Sequence, residues 1–164
     1  MGYGQMIIIS DSSPLISLAI IGKLDVLTFL YEEIYVPTAV YKEVIRSGKP
    51  FAKELKAFLY DKTKSVENKM AVDILLSDIG AGEAEAIILA LEQHPDVILI
   101  DDLKARRFAK IKGLTVIGTM GLLLMAKKEG LITELKPLLS DLLSHNIRIS
   151  AKIIDITLHA AGEA

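Results

Sequence analysis

The chain has no cysteine. That excludes a disulfide framework and any thiolate-bound metal, and it fits a reducing, cytoplasmic setting. Long apolar runs are also missing. The longest span about 8 residues, against the roughly 20 that cross a bilayer, so no membrane is expected among the partners. Residues 1–5 carry neither the basic nor the apolar segment of a secretory signal. Positive charge is not in excess: 19 Lys and Arg stand against 21 Asp and Glu, a net charge of −2. Proteins that coat nucleic acid without regard to sequence are usually basic, so that role is disfavoured. An enzyme that offsets its own acids with metal ions is not excluded. No glycine-rich phosphate loop occurs, because "GAGEAEA" at 80–86 is neither a Walker A motif nor a dinucleotide fingerprint. Repeats, linkers and low-complexity segments are absent too.

What is present is a packed interior: 51% of residues are apolar and 24% charged. A chain of this length forms one domain, 1–164, that buries about two-thirds of its unfolded surface. Its ends, 1–5 and 162–164, are expected to fray. Short β-branched runs at 6–10, 97–100 and 114–117 read as buried strands, with another at 33–36 and a short one near Val66. Helical spacing covers 12–20, 23–31, 37–46 (opened by Pro37), 51–60 and 70–76. It resumes at 83–93, 102–112, 119–129, 134–144 and 151–161, the last capped by Ser150. Residues 79–82 read as a turn, and 147–149 as an edge strand. Strands that alternate with helices argue for an α/β fold on a mostly parallel sheet.

In such sheets, ligands bind outside the carboxyl ends of the strands. Asp11 follows the first strand, Asp101 and Asp102 follow the strand at 97–100, and Gly118-Thr119 follows the next. Each acid taken alone reads as a helix cap. Together they read as a cluster, because crowded carboxylates repel unless a cation sits between them. Glu43 lies in the helix at 37–46, where a solvated face is the alternative. Glu83 and Glu85 open the helix at 83–93. Two positions apart, they face different ways, so at most one aims at the sheet edge. Hard oxygen donors of this kind suit Mg2+ or Mn2+. His94, His145 and His159 have no ligand spacing and read as surface residues.

Four blocks, "IIISDSSPLISLAIIGKLDVL", "VPTAVYKEV", "GAGEAEAIILALE" and "ILIDDLKARRFAKIKGLTVIGTMGLLLMAKKEGLI", resemble PIN-domain proteins in order and spacing. They look most like short stand-alone members related to VapC-type toxins. The resemblance implies a three-layer α/β/α sandwich around a sheet of four to five strands. It also implies a metal-dependent ribonuclease, with Mg2+ or Mn2+ as cofactor and RNA as substrate. The family's acids fall on Asp11, Glu43, Glu85 (with Glu83 beside it) and Asp102 (with Asp101 beside it). Its hydroxyls, which orient water or phosphate, fall on Ser12 or Ser13 and on Thr119. Lys42, Arg46, Lys49, Lys104, Arg106 and Arg107 are candidates to follow a nucleic-acid backbone, or to form solvated helix faces. A type II toxin with an antitoxin partner and a homodimeric state are further implications. The alternative is a non-catalytic binding or regulatory module on the same scaffold. The apolar stretch at 121–126 suits a dimer face, although core packing explains it better.

Overall fold

The computed structural model describes residues 6–164. Five strands, all parallel, form one sheet in the order β3-β2-β1-β4-β5. The central strand β1 (Ile7–Ser10) leads into α1 (Ser12–Ile20) and α2 (Asp25–Leu30). β2 (Glu33–Pro37) is followed by α3 (Thr38–Val44) and α4 (Ala52–Phe58), then by β3 (Thr63–Lys64). The chain returns through α5 (Lys69–Leu75) and α6 (Ala81–Gln93) to β4 (Val97–Leu99), on the other side of β1. α7 (Leu103–Ile111) links it to β5 (Val116–Ile117), and α8 (Thr119–Lys128), α9 (Lys136–Ser144) and α10 (Ala151–Ala160) complete the chain. The sandwich expected from the sequence is therefore present, with a sheet that is wholly parallel.

The strand runs look uniformly apolar because both faces of the sheet are covered. Successive side chains alternate between two cores. Ile8, Val97 and Leu99 pack with α1, α8 and α9, while Ile9, Ile98 and Ile100 pack with α6 and α7. Leu15 and Leu18 of α1 are fully buried, each stabilising by about 1.5–3 kcal/mol through apolar burial. Leu122, Leu123 and Ala126 of α8 are also fully buried, so the stretch at 121–126 belongs to the core.

Several local expectations are corrected. β3 lies at Thr63–Lys64, not near Val66, because the ladder pairs Thr63 with Val36 and Lys64 with Pro37. Val66 is buried in the α6-side core instead. Pro37 is the last residue of β2, and its extended backbone only precedes α3. The turn expected at 79–82 is already helical from Ala81, so Gly82 sits in the first turn of α6. Residues 147–149 form no strand; they run irregularly into Ser150, whose Oγ accepts from Ile153 N at 3.1 Å. The tail expected to fray is fastened at Glu163, which accepts from the Leu135 and Lys136 N–H groups at 2.7 and 2.9 Å and from Lys127 Nζ at 2.8 Å. The expectation for residues 1–5 falls outside the described residues.

Candidate functional site

The strand order reverses direction at β1. From β1 the chain builds outward through β2 and β3, then returns to add β4 and β5 on the opposite side. The crevice at the carboxyl ends of β1 and β4 is thus the topological switch point of the sheet. Asp11 stands there. Its N–H still donates to Leu99 O at 3.0 Å, which fixes the residue on the edge of β4. It occupies the cap position of α1, yet its side chain makes no capping bond. The cap reading therefore fails for Asp11.

Asp11 is only 4% exposed. Burial pushes its pKa up to about 7, and the charges of Glu83, Glu43 and Asp101 push in the same direction, against a lowering contact with the Ser12 backbone. A buried carboxylate among three like charges is costly to ionise. Asp11, Ser12, Glu43, Arg46, Gly82 and Glu83 line one cavity of about 360 Å³. Ser12 Oγ donates to Glu43 Oε1 at 2.8 Å, which aims the Glu43 carboxylate across from α3. Gly82 closes the third side. A Cβ there would lie 3.2 Å from Asp11 Oδ1 and 3.4 Å from both Glu43 Oε1 and Val40 Cγ2. Two carboxylate oxygens therefore flank one point beside the α6 backbone.

The two glutamates of α6 separate as their spacing requires. Glu83 lines the cavity, and its Oε1 accepts from Gly80 N at 3.0 Å. Its pKa is raised, first by burial and then by the charges of Asp102 and Glu43. Glu85 does not line the cavity; its Oε1 accepts from Ala39 N at 3.0 Å and fastens the start of α3. The paired aspartates after β4 also divide. Asp101 accepts from Thr119 N at 2.7 Å and from Thr119 Oγ1 at 2.6 Å. Asp102 is the cap of α7 and accepts from Ala105 N at 2.9 Å, as the simple cap reading expects. Thr119 is consequently committed to Asp101, while Ser13 is exposed beside the cavity.

Of the basic candidates, Arg46 lines the acidic cavity. Lys104 pairs with Asp78 at 3.8 Å on the surface, and Arg106 Nη1 donates to Ile100 O at 3.2 Å. Lys42 and Arg107 are exposed, and Lys49 is half-buried. The three histidines are exposed, as expected. One contributor escaped the sequence reading. Gly82 reads in the sequence as one glycine of a turn, and only the docking of α6 against Asp11 and Glu43 gives it a place in the site.

Among the described residues, no three carboxylates or imidazoles close into a preformed ligand cage. The donor chemistry still fits a hydrated hard cation. Asp11 and Glu43 offer converging oxygens in a cavity with room for water, and Mg2+ retains several waters while taking one or two carboxylates. Among the described residues, no helix is long and apolar enough to cross a membrane. No curated protein and no solved structure matches the chain. A family model described as a PIN domain matches residues 7–163, almost the whole length. On that match, and with a parallel sheet that gathers acids at its switch point, the chain belongs to the PIN-domain family.

Proposed function

We propose that the protein is a Mg2+- or Mn2+-dependent ribonuclease that hydrolyses phosphodiester bonds at the Asp11 cavity. PIN domains are a nuclease-type fold and generally use divalent metal ions. One observation carries the reading for this chain: Asp11, buried at the switch point, shares a cavity with Glu43 and Glu83, so that three acids and a single base, Arg46, line it. Asp11, Glu43 and Glu83 are assigned as the residues that would hold the metal, with Asp102 contributing charge from the α7 cap. Asp101 and Glu85 are assigned positioning roles, because neither lines the cavity and their carboxylates are engaged by Thr119 and Ala39. A divalent ion bound there supplies an electrophile for the phosphate and lowers the pKa of a nearby water. The residues do the rest. Ser12 orients Glu43, Ser13 meets a phosphate oxygen at the rim, and Arg46 offers its guanidinium to the backbone that enters.

The experiment is cleavage of single-stranded RNA in Mn2+, paired with calorimetric Mn2+ titration. Asp11→Asn and Glu83→Gln are expected to lose cleavage by 100-fold or more (on the order of 10² and above, as for loss of a general acid–base or charge-stabilising group) and to weaken Mn2+ binding. Glu85→Gln is expected to keep most activity. Undiminished cleavage by Asp11→Asn would sink the assignment. The finer role, a cytoplasmic toxin held by an antitoxin protein and acting as a homodimer, is supported by the family alone. One observation favours the second reading, a non-catalytic nucleic-acid-binding module. Glu83, Glu85, Asp101 and Asp102 each spend an oxygen on a backbone N–H. A protein that binds RNA but neither takes up Mn2+ nor cleaves would establish it.

A further inference from the structure

A second cavity, of about 540 Å³, lies beside the acidic one. It opens between α1, the start of α7, the β5–α8 junction and the irregular segment that leads into α10. Val116, Ile117, Met120 and Ile149 give it apolar walls, and Arg106 and Arg148 stand among its lining residues. Ser13 lines both cavities, so the two adjoin at this residue.

The arginines show a pattern. The chain has four: Arg46, Arg106, Arg107 and Arg148. Arg46 lines the acidic cavity, Arg106 and Arg148 line its neighbour, and Arg107 follows Arg106 on α7. Among the described residues, none of the four pairs with a carboxylate, although acids outnumber bases in the chain. Arg106 is held by Ile100 O through one nitrogen, and Gly118 makes room for it, since a Cβ there would overlap Arg106 Nη1. Guanidinium groups left unpaired beside an acidic centre are complementary to an external anion that also reaches that centre.

We propose that this second cavity binds the base and ribose of one unpaired nucleotide of an RNA strand, whose backbone passes Ser13 into the acidic cavity. Its volume suits one small ligand. Apolar walls accept the face of an unstacked base, and arginine planes stack on bases or grip phosphates, the combination by which single-stranded RNA is read. A base held in a duplex stack cannot enter a side cavity without leaving the stack, so this subsite suits single-stranded or looped RNA. The inference rests on the reading of the acidic cavity as a phosphodiester site.

The test uses the full chain carrying Asp11→Asn, without metal, so that binding is read apart from cleavage. Isoleucine methyl NMR follows titration with each of the four nucleoside 5′-monophosphates, a short single-stranded RNA, and inorganic phosphate. The nucleotides and the RNA are expected to shift the methyls of Ile117, Ile149 and Ile153, leaving Ile8 and Ile98 unmoved. Arg148→Glu, at an exposed residue, is expected to weaken RNA binding about tenfold with an unchanged core spectrum. Three results would overturn the proposal: no shift at the cavity methyls, as for a cavity that takes a peptide; equal shifts with inorganic phosphate alone; or equal RNA affinity in Arg148→Glu. Wild-type cleavage in Mn2+ is scored separately. Cleavage without cavity shifts overturns the subsite alone, and cavity shifts without cleavage overturn the nuclease reading alone.

Discussion

Gly82 separates stability from function at a single residue. It lies in the first turn of α6 with an ordinary helical need for a side chain, yet its missing Cβ leaves Asp11 Oδ1 and Glu43 Oε1 room to converge. Alanine is the better helix former by about 1 kcal/mol. Gly82→Ala is therefore expected to hold or raise the thermal midpoint while it weakens Mn2+ affinity about tenfold, an order-of-magnitude effect of crowding the two carboxylates. Differential scanning fluorimetry and calorimetric titration of one preparation check both halves; unchanged Mn2+ affinity would remove Gly82 from the site. The sequence made Asp11 legible because a carboxylate after an all-apolar strand has few structural uses. It could not rank Glu83 over Glu85. Both open the same helix, and only the docking of α3 against α6 decides that Glu85 meets Ala39 N and Glu83 meets the cavity.

At the scale of elements, long helices and buried strands could be read from their periods, and short polar pieces could not. β3 is two residues, Thr63 and Lys64, and exists only because β2 offers it a partner. The segment at 147–149 has strand-like composition but finds no neighbouring ladder, and it becomes a cavity wall. The tail shows how a distant residue can finish an element. Leu135 precedes α9 and offers no side-chain cap, and Glu163 supplies the missing acceptor for the N–H groups of Leu135 and Lys136. These bonds and Lys127 draw the Glu163 pKa down to about 2. A lowered acid stabilises the fold above its ordinary pKa of 4.5, and that contribution is lost as pH falls toward 2. Glu163→Gln is expected to lower the thermal midpoint at pH 7 by a few degrees, with the difference from wild type vanishing near pH 2. A constant difference across that range would mean that the bonds, and not the charge, matter.

For the whole molecule, pH acts through Asp11 in the opposite sense. Its folded pKa, about 7, lies above the ordinary 3.8, so the folded state holds the proton more tightly than the unfolded chain does. Stability from this group falls as pH rises from about 4 through about 7. Asp11→Asn is expected to be more stable than wild type at pH 8, by on the order of 4 kcal/mol at most, and equal to it near pH 4. Chemical denaturation at the two pH values measures this, and Mn2+ should narrow the gap at pH 8 by stabilising wild type alone. A variant no more stable than wild type at pH 8 would show that Asp11 is not strained by its surroundings. The layered architecture was legible from alternating elements, and the family from four blocks in order. The strand order was not, because nothing local tells β4 to dock beside β1. That order also has a consequence for synthesis. Ile8 pairs with Ile34 on one side and with Val97 on the other. While the ribosome is still adding the intervening residues, the isoleucine-rich first strand keeps one edge open, and such an edge invites pairing with other nascent chains. The strand that anchors the site is thus completed late, and Asp11 is enclosed only after Val97–Leu99 have been made.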